Sequence, residues 1–267
     1  MPIKVLEGQK ILHLLLERLY KRRFRSQTGA FRGVFPTFEQ ANRSAPRNKP
    51  LGFNCSEYAG EFRDRHTRIF SFDYPVLYWL SRLLQPGVHI FDYGGHLGTH
   101  FYAYARYLTY PPGLTWTVCD LPEITRAGEQ YAREQDARGL AFTNRPEEAS
   151  GADILIAAGS LQYIESPSLS TLLSRLDAKP RHLLLNKLPL YNGEQFVTLQ
   201  NGGAAFHPQY VFNRHEFLAS LTAIGYRLED AWDVETHSGR IPLHPGQSFR
   251  CHSGLYLCRS ADPAPRV

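Results

Sequence analysis

The sequence has no paired cysteines. Cys55, Cys119, Cys251 and Cys258 form no CxxC and keep no metal-ligand spacing, so a cysteine-based metal site is excluded. Cys119 and Cys258 lie inside apolar runs and read as small core residues, which favours a reducing, cytoplasmic setting. Long apolar runs are missing too. Ile11 to Leu16 is too short to span a bilayer, and basic residues follow it rather than precede it, so it is neither a signal peptide nor a membrane helix. No internal repeat or low-complexity tract occurs, which excludes a solenoid. The first third is poor in acids relative to Lys21, Arg22, Arg23, Arg25, Arg32, Arg43 and Arg47, and it carries much of the net charge of +5. A basic amphipathic start can meet nucleic acid, a membrane surface or an acidic partner, but a solvated helix face is the favoured reading.

What is present is ordinary for a soluble enzyme: 267 residues, 43% hydrophobic and 21% charged. That length suits one α/β domain of about 200 residues with an extension. Residues 4–24 carry an apolar stripe and predict a helix; residues 27–60, rich in Gly, Pro, Asn and Ser, predict an irregular arm. "YPVLYWLSRLL" predicts a second helix. After Gly87 strands and helices alternate: "VHIFDY", "THFYAYARYL", "LTWTVCD", "EITRAGEQYAREQD", "LAFTN", "ADILIAAGSLQYI", "SLSTLLSRL", "RHLLLNKL". Such alternation implies a parallel, doubly wound sheet. The end differs. "NRHEFLASLTAIGY" is a helix capped by Asn213 with Glu216 three residues on, and "YRLEDAWDV" and "SGLYLCRS" form a hairpin with no helix between, so one strand runs antiparallel.

In a doubly wound sheet the ligand sits beyond the carboxyl ends of the strands, where strand order reverses. The turn after the first regular strand, "DYGGHLG", lies there. It is not the GxGxxG nicotinamide fingerprint, and a carboxylate directly before the glycines suits a cationic amino-acid head group better than a pyrophosphate. The next strand ends in Asp120, placed to accept both hydroxyls of a ribose.

On these residues the chain resembles the class I S-adenosylmethionine (SAM)-dependent methyltransferases, from about Val88 to Arg259. The resemblance implies an α/β Rossmann-like fold with a seven-stranded, mostly parallel sheet and a C-terminal antiparallel hairpin. "CDLPEI" is similar to the Asp-Leu-Pro of small-molecule O-methyltransferases, whose Asp holds the ribose. It implies SAM as co-substrate, with Tyr93, Gly94, Gly95, His96 and Gly98 around the methionine part; Asp92 is read as anchoring the ammonium through backbone and water, or as a cap of the following helix. Asp120 would take the ribose, Leu121 would pack on adenine, and Thr143 and Asn144 would read the adenine edge. Gly159 and Ser160 end the fourth strand on the same ligand. His96 departs from the family by replacing a glycine, no acid follows the third strand, and Gln162 stands where many O-methyltransferases carry a His. A narrower resemblance, through "GVFPTFEQA", "FDYGGHLGTHFY", "TLQNGG" and "GYRLEDAWDV", is to a bacterial family labelled methyltransferase and related to the azetidine-2-carboxylate synthases. Those enzymes close SAM's own amine onto its γ-carbon and release methylthioadenosine.

Three residues are candidates for the chemistry. Tyr163 and Gln162 follow the fourth strand, where the sulfonium should lie; Tyr163 can offer a ring face to the cation or serve as a core tyrosine. His207, in the segment 188–213 that lacks clear periodicity, is the candidate general base, or a structural histidine beside Pro208. His96 and His100, four apart, have metal-ligand spacing but no third ligand in register, so no metal is expected. The expected function is methyl transfer to a small-molecule acceptor of a secondary-metabolite or saccharide pathway. The alternatives are SAM cyclisation and an inactive SAM-fold binding module. Residues 1–72 are expected to form a helix and arm acting as a lid, and 73–267 the SAM-binding domain. The partners expected are a small-molecule substrate and, left open, a second copy in a homodimer, with no nucleic acid and no stable membrane insertion.

Overall fold

The computed structural model describes residues 15–53 and 68–260. Strands are numbered β1 to β11 and helices α1 to α7 along the chain. The main sheet contains β2 (His89–Tyr93), β3 (Thr115–Cys119), β4 (Leu140–Thr143), β5 (Ile154–Ala158), β6 (His182–Leu188), β10 (Tyr226–Val234) and β11 (His252–Arg259). Its order is β10-β11-β6-β5-β2-β3-β4, with β2, β3, β4, β5 and β6 parallel and β11 antiparallel to both neighbours. This is the seven-stranded arrangement of class I methyltransferases. Strand order reverses between β2 and β5, so the crevice that such sheets use for ligands opens above their carboxyl ends.

The central strands read as continuous apolar runs because helices cover both faces. Along β5 every residue is buried: Leu155 and Ala157 join one core, while Ile154, Ile156 and Ala158 join the other. Helices α3 (Tyr74–Leu83) and α4 (Thr99–Tyr104) pack on the second core through Val76, Leu80 and Phe101. Helix α5 (Pro122–Glu134) lies against β4, where Gly128 permits close approach: a Cβ there would stand 2.3 Å from the Phe142 ring. Helices α6 (Leu169–Ser174) and α7 (Arg214–Thr222) cover the first core, and Asn213 caps α7 by accepting from Glu216 N at 2.9 Å.

Two regions differ from the sequence reading. The arm expected to be irregular holds β1 (Phe31–Phe35) and α2 (Phe38–Ser44), the latter capped by Thr37. The segment after β6, without visible periodicity, forms β7 (Leu190–Tyr191), β8 (Phe196–Asn201) and β9 (Phe206–Asn213). Together they make a second sheet, β1-β8-β9-β7. Most of β8 is buried, so it shows no alternation, and β1 pairs with a partner far along the chain, which local pattern cannot reveal. Helical residues 15–26 (α1) cover the early helix in part; residues 4–14 of that expectation lie outside the described residues. Phe24 of α1 stacks on Phe206 at 5.1 Å, and Asn201 donates to the Phe24 carbonyl at 2.6 Å, so α1 is fastened to the second sheet. Among the described residues no helix is long and apolar enough to cross a membrane.

Candidate active site

The turn after β2 is shaped by three left-handed residues, Gly94 (φ +80°), His96 (φ +58°) and Gly98 (φ +84°). Glycine adopts this conformation freely, whereas a histidine there costs about 1–3 kcal/mol. His96 therefore keeps the backbone a glycine would have, and its N–H donates to Asp120 Oδ2 at 2.9 Å. Gly94 and Gly95 are required by contact. A Cβ on Gly94 would stand 2.2 Å from Ser160 Cβ, and one on Gly95 would stand 2.4 Å from the Asp92 carboxyl carbon. Ser160 Oγ also donates to the Tyr93 carbonyl, which ties the tip of β5 to that of β2.

Asp120, at the tip of β3, accepts from His96 N and, at 2.7 Å, from Leu121 N. Burial dominates its titration and pushes its pKa up to about 6, with Asp92 adding to the rise and the two backbone hydrogen bonds opposing it. The carboxylate is thus short of donors and faces a cavity of about 870 Å³, within the size range of small-molecule sites. Leu121, 40% exposed, lines the same cavity with Ile124, Asn144 and Pro146. Asn144 Nδ2 donates to the Asp120 carbonyl and to Thr125 Oγ1, both at 2.7 Å, leaving its Oδ1 as an acceptor.

Asp92 does not reach the cavity. It is fully buried under the turn and accepts from His100 Nδ1 at 2.9 Å and from Trp116 Nε1 at 3.2 Å. His100 is the residue on the wall, so an approach of Asp92 to a ligand runs through this histidine. Tyr104, which donates to Asp73 Oδ1 at 3.2 Å, is held well above its ordinary pKa by burial, with the charges of Asp73 and Asp92 adding to the rise. Two buried oxygens on the cavity wall, Thr99 Oγ1 and Gln162 Oε1, have no hydrogen-bond partner among the described residues. Buried polar atoms without partners are rare in folded proteins, and here both border the space where a ligand would satisfy them.

Past β5, a short 3-10 turn, Leu161–Tyr163, brings Gln162 and Tyr163 onto the wall beside Gly159 and Ser160. The Tyr163 hydroxyl donates to Gln200 Oε1 at 2.7 Å, and Phe53 packs against its ring with centroids 4.7 Å apart. His207 is not on the wall. It lies behind Phe53, stacked at 3.7 Å, and burial lowers its pKa to about 4, which makes it a poor base at neutral pH. Gly98 and Thr143 also stay off the wall: Gly98 sits at the start of α4, and Thr143 Oγ1 accepts from Arg145 N. Sequence reasoning missed Phe72, Asp73, Lys187, Thr236, His237 and His252, all of which line the cavity. Only Lys187 carried a signal, as a charge inside the apolar run "HLLLNKL". Among the described residues no group of three His, Cys, Asp or Glu side chains is placed to hold a metal ion.

No family model and no curated protein matches the sequence. Solved structures do resemble it. Magnesium protoporphyrin IX methyltransferase from Synechocystis PCC 6803, determined with SAH, is 18% identical, with 78% of this chain and 89% of that one covered, at a TM-score of 0.47. A SAM-dependent methyltransferase from Aquifex aeolicus is 14% identical, covering 75% and 94%, at 0.47. The cyclase SpnF is 12% identical, covering 70% and 82%, at 0.48. The strand order and the closing hairpin make the main domain a Rossmann-like domain of the class I methyltransferase type.

Proposed function

We propose that the protein binds SAM in this cavity and catalyses methyl transfer to a small-molecule acceptor. The observation that carries the reading is Asp120: a desolvated carboxylate at the tip of β3, fixed by two backbone N–H groups and open to the cavity beside the glycine turn. Two ribose hydroxyls would supply the donors it lacks. Leu121, Ile124 and Pro146 form a slot for a flat base, with Asn144 Oδ1 free to accept from an exocyclic amine. Thr99 Oγ1, His100 and Gln162 Oε1 offer hydrogen-bond partners to the amino-acid end, Asp92 fixing the His100 ring from behind.

SAM, when bound, supplies a methyl group on a sulfonium that leaves as S-adenosylhomocysteine while the acceptor atom gains the methyl and loses its proton. The chain's part is orientation and exclusion of water. Gly159 and Ser160 form the floor at the tip of β5. Tyr163, its hydroxyl proton held by Gln200, is fixed so that its ring lies on the wall beside them, where a face toward a sulfonium gains about 0.5–2 kcal/mol.

One observation favours a second reaction at the same site. The Asp92–His100 pair stands at the amino-acid end, where a histidine oriented by a carboxylate can take a proton from the methionine amine. Such a base suits cyclisation of SAM to azetidine-2-carboxylate. Purified protein incubated with SAM, alone and with a small-molecule extract, separates the two by mass spectrometry. S-adenosylhomocysteine formed only with extract supports methyl transfer. Methylthioadenosine with a four-membered-ring amino acid from SAM alone, above the non-enzymatic background, would replace it with cyclisation.

A further inference from the structure

The residues assigned to SAM account for only part of the cavity. Its volume, about 870 Å³, lies toward the upper end of the roughly 300–1,000 Å³ of small-molecule sites, and its lining extends past the tip of β5 to the start of β11. There the wall is made by Phe70 and Phe72, just before α3, by Thr236 and His237 from the loop after β10, and by His252, the first residue of β11. The aromatic faces are fixed from behind. Asn186, fully buried in β6, donates through Nδ2 to the Phe72 carbonyl at 2.8 Å. Its Oδ1 accepts from Trp232 Nε1 at 3.1 Å and from Lys187 N at 3.0 Å, where the lysine backbone is left-handed, φ +55°. Phe70 and Phe72 stack with centroids 5.2 Å apart and planes 11° from parallel. Stacked rings on a cavity wall suit a flat, unsaturated body.

His252 supplies the polar group. The residue is 5% exposed, and the His237 carbonyl accepts both from its backbone N–H at 2.7 Å and from its ring Nδ1 at 3.0 Å. A carbonyl only accepts, so Nδ1 carries the proton and Nε2 keeps a lone pair. The rings of His237 and Phe249 stand edge-on to the imidazole at 5.4 and 5.2 Å, which fixes its plane. Burial lowers its pKa to about 4, against the hydrogen bond to the His237 carbonyl and helped by the charges of His237 and Lys187, so the ring is neutral near pH 7. No hydrogen bond from the described residues reaches Nε2. A desolvated nitrogen lone pair on a cavity wall takes an O–H or N–H, and it repels the oxygens of a carboxylate or phosphate.

We propose that His252 binds a hydroxyl group of the methyl acceptor, and that the acceptor is an uncharged hydroxylated ring lying against Phe70 and Phe72. The inference rests on the methyl-transfer reading above and extends it to the second substrate. The hydroxyl donates to His252 Nε2 while the ring covers the stacked pair. A ring of the same shape without the donor leaves a buried lone pair unsatisfied, which is how such a site rejects near-isosteres.

The test uses the full chain saturated with S-adenosylhomocysteine, with binding of phenol, fluorobenzene and benzoate measured by ligand-observed NMR near neutral pH. Phenol should bind about tenfold or more tighter than either of the others. His252→Phe keeps a ring and removes the nitrogen. Phenol affinity should then fall to that of fluorobenzene, while the affinities for fluorobenzene and S-adenosylhomocysteine stay within about twofold. His252→Leu should do the same if the Phe variant does not fold. In the wild type, nitrogen NMR of histidine-labelled protein reads the group directly: one unprotonated ring nitrogen should shift with phenol and stay in place with fluorobenzene. Equal binding of phenol and fluorobenzene overturns the proposal, as does tighter binding of benzoate. So does a phenol preference that survives loss of the imidazole, or a wild-type spectrum that phenol leaves unchanged. Loss of S-adenosylhomocysteine affinity in a folded His252 variant overturns it too, because the histidine would then hold the co-substrate. A wild-type protein that does not bind S-adenosylhomocysteine at all fails the SAM reading first, and is seen before any probe is added.

Discussion

Two stretches of the cavity wall, one around Asp120 and one around Lys187, are built by opposite means. At one end Asp120 stands on the wall and Asp92 just behind it, and each carboxylate is held by hydrogen bonds from the chain or its side chains. At the other, Lys187 is turned inward by a strained backbone and a buried asparagine. The acidic end comes largely from one strand–turn–helix and the tip of the next strand. The basic end is gathered from β6, the loop after β10 and the start of β11. A site for an unvarying co-substrate can be written into one compact motif. The stretch around Lys187 is assembled from distant elements, which can change without disturbing the first.

The largest expected effect breaks the acidic end alone. Asp120→Ala should weaken SAM binding by roughly 1.5–3 kcal/mol, since charged hydrogen bonds to two hydroxyls are lost. Calorimetry on the folded variant reads it, and an unchanged affinity removes Asp120 from the site.

Between the ends stands Tyr163, and its two variants sharpen the boundary. Tyr163→Ala should lower turnover by up to about thirtyfold if the ring faces the sulfonium, the ceiling of a desolvated cation–π contact. Tyr163→Phe keeps the ring, loses only the bond to Gln200, and should retain most turnover. Equal, mild losses from both changes, with normal melting, would leave Tyr163 a packing residue.

How much of this was legible follows the same division. The glycine turn and Asp120 stood out because their spacing is local and their chemistry demands those residue types, while Leu121 and Asn144 followed from the family resemblance. The strand pattern of the main sheet was legible for the same reason: β2, β5 and β6 are apolar runs bounded by turn signals. The partner of Asp92 was not legible, since nothing in the sequence says that His100 would come between it and the cavity. His207 was chosen for its residue type in a segment without pattern, and β8–β9 buried it behind Phe53. The second sheet escaped notice because β1 finds its partner only in three dimensions. Lys187 stood out only as a charge in an apolar run, and its grouping was hidden for that reason too: Phe72, Lys187, Thr236 and His237 meet only through the fold.

The pH dependence provides a gentler test of the acidic end. Asp120 has a folded pKa raised from 3.8 to about 6, so its contribution to the stability of the free protein is complete below the lower value and is lost as pH rises through about 6. Ligand binding has the opposite sign, because the hydroxyls need the ionised carboxylate. SAM affinity should fall as pH drops below about 6, approaching tenfold per pH unit, and Asp120→Asn should flatten that slope. A flat profile in the wild type would mean that another group holds the ribose.

The smallest effect expected is at Gln162. Its Oε1 is buried without a partner among the described residues, so Gln162→Leu should stabilise the free protein by about 1 kcal/mol in thermal unfolding while weakening SAM binding. Stabilisation with unchanged affinity would take Gln162 out of the ligand's reach.

The division of labour itself is tested most directly by a crystal structure with S-adenosylhomocysteine. The ribose hydroxyls should lie on the Asp120 carboxylate, the base between Leu121 and Pro146, the amino-acid end beside Thr99 and His100, and the sulfur near Gly159. A nucleoside found against Lys187 and His237, with Asp120 untouched, would contradict the assignment of both ends.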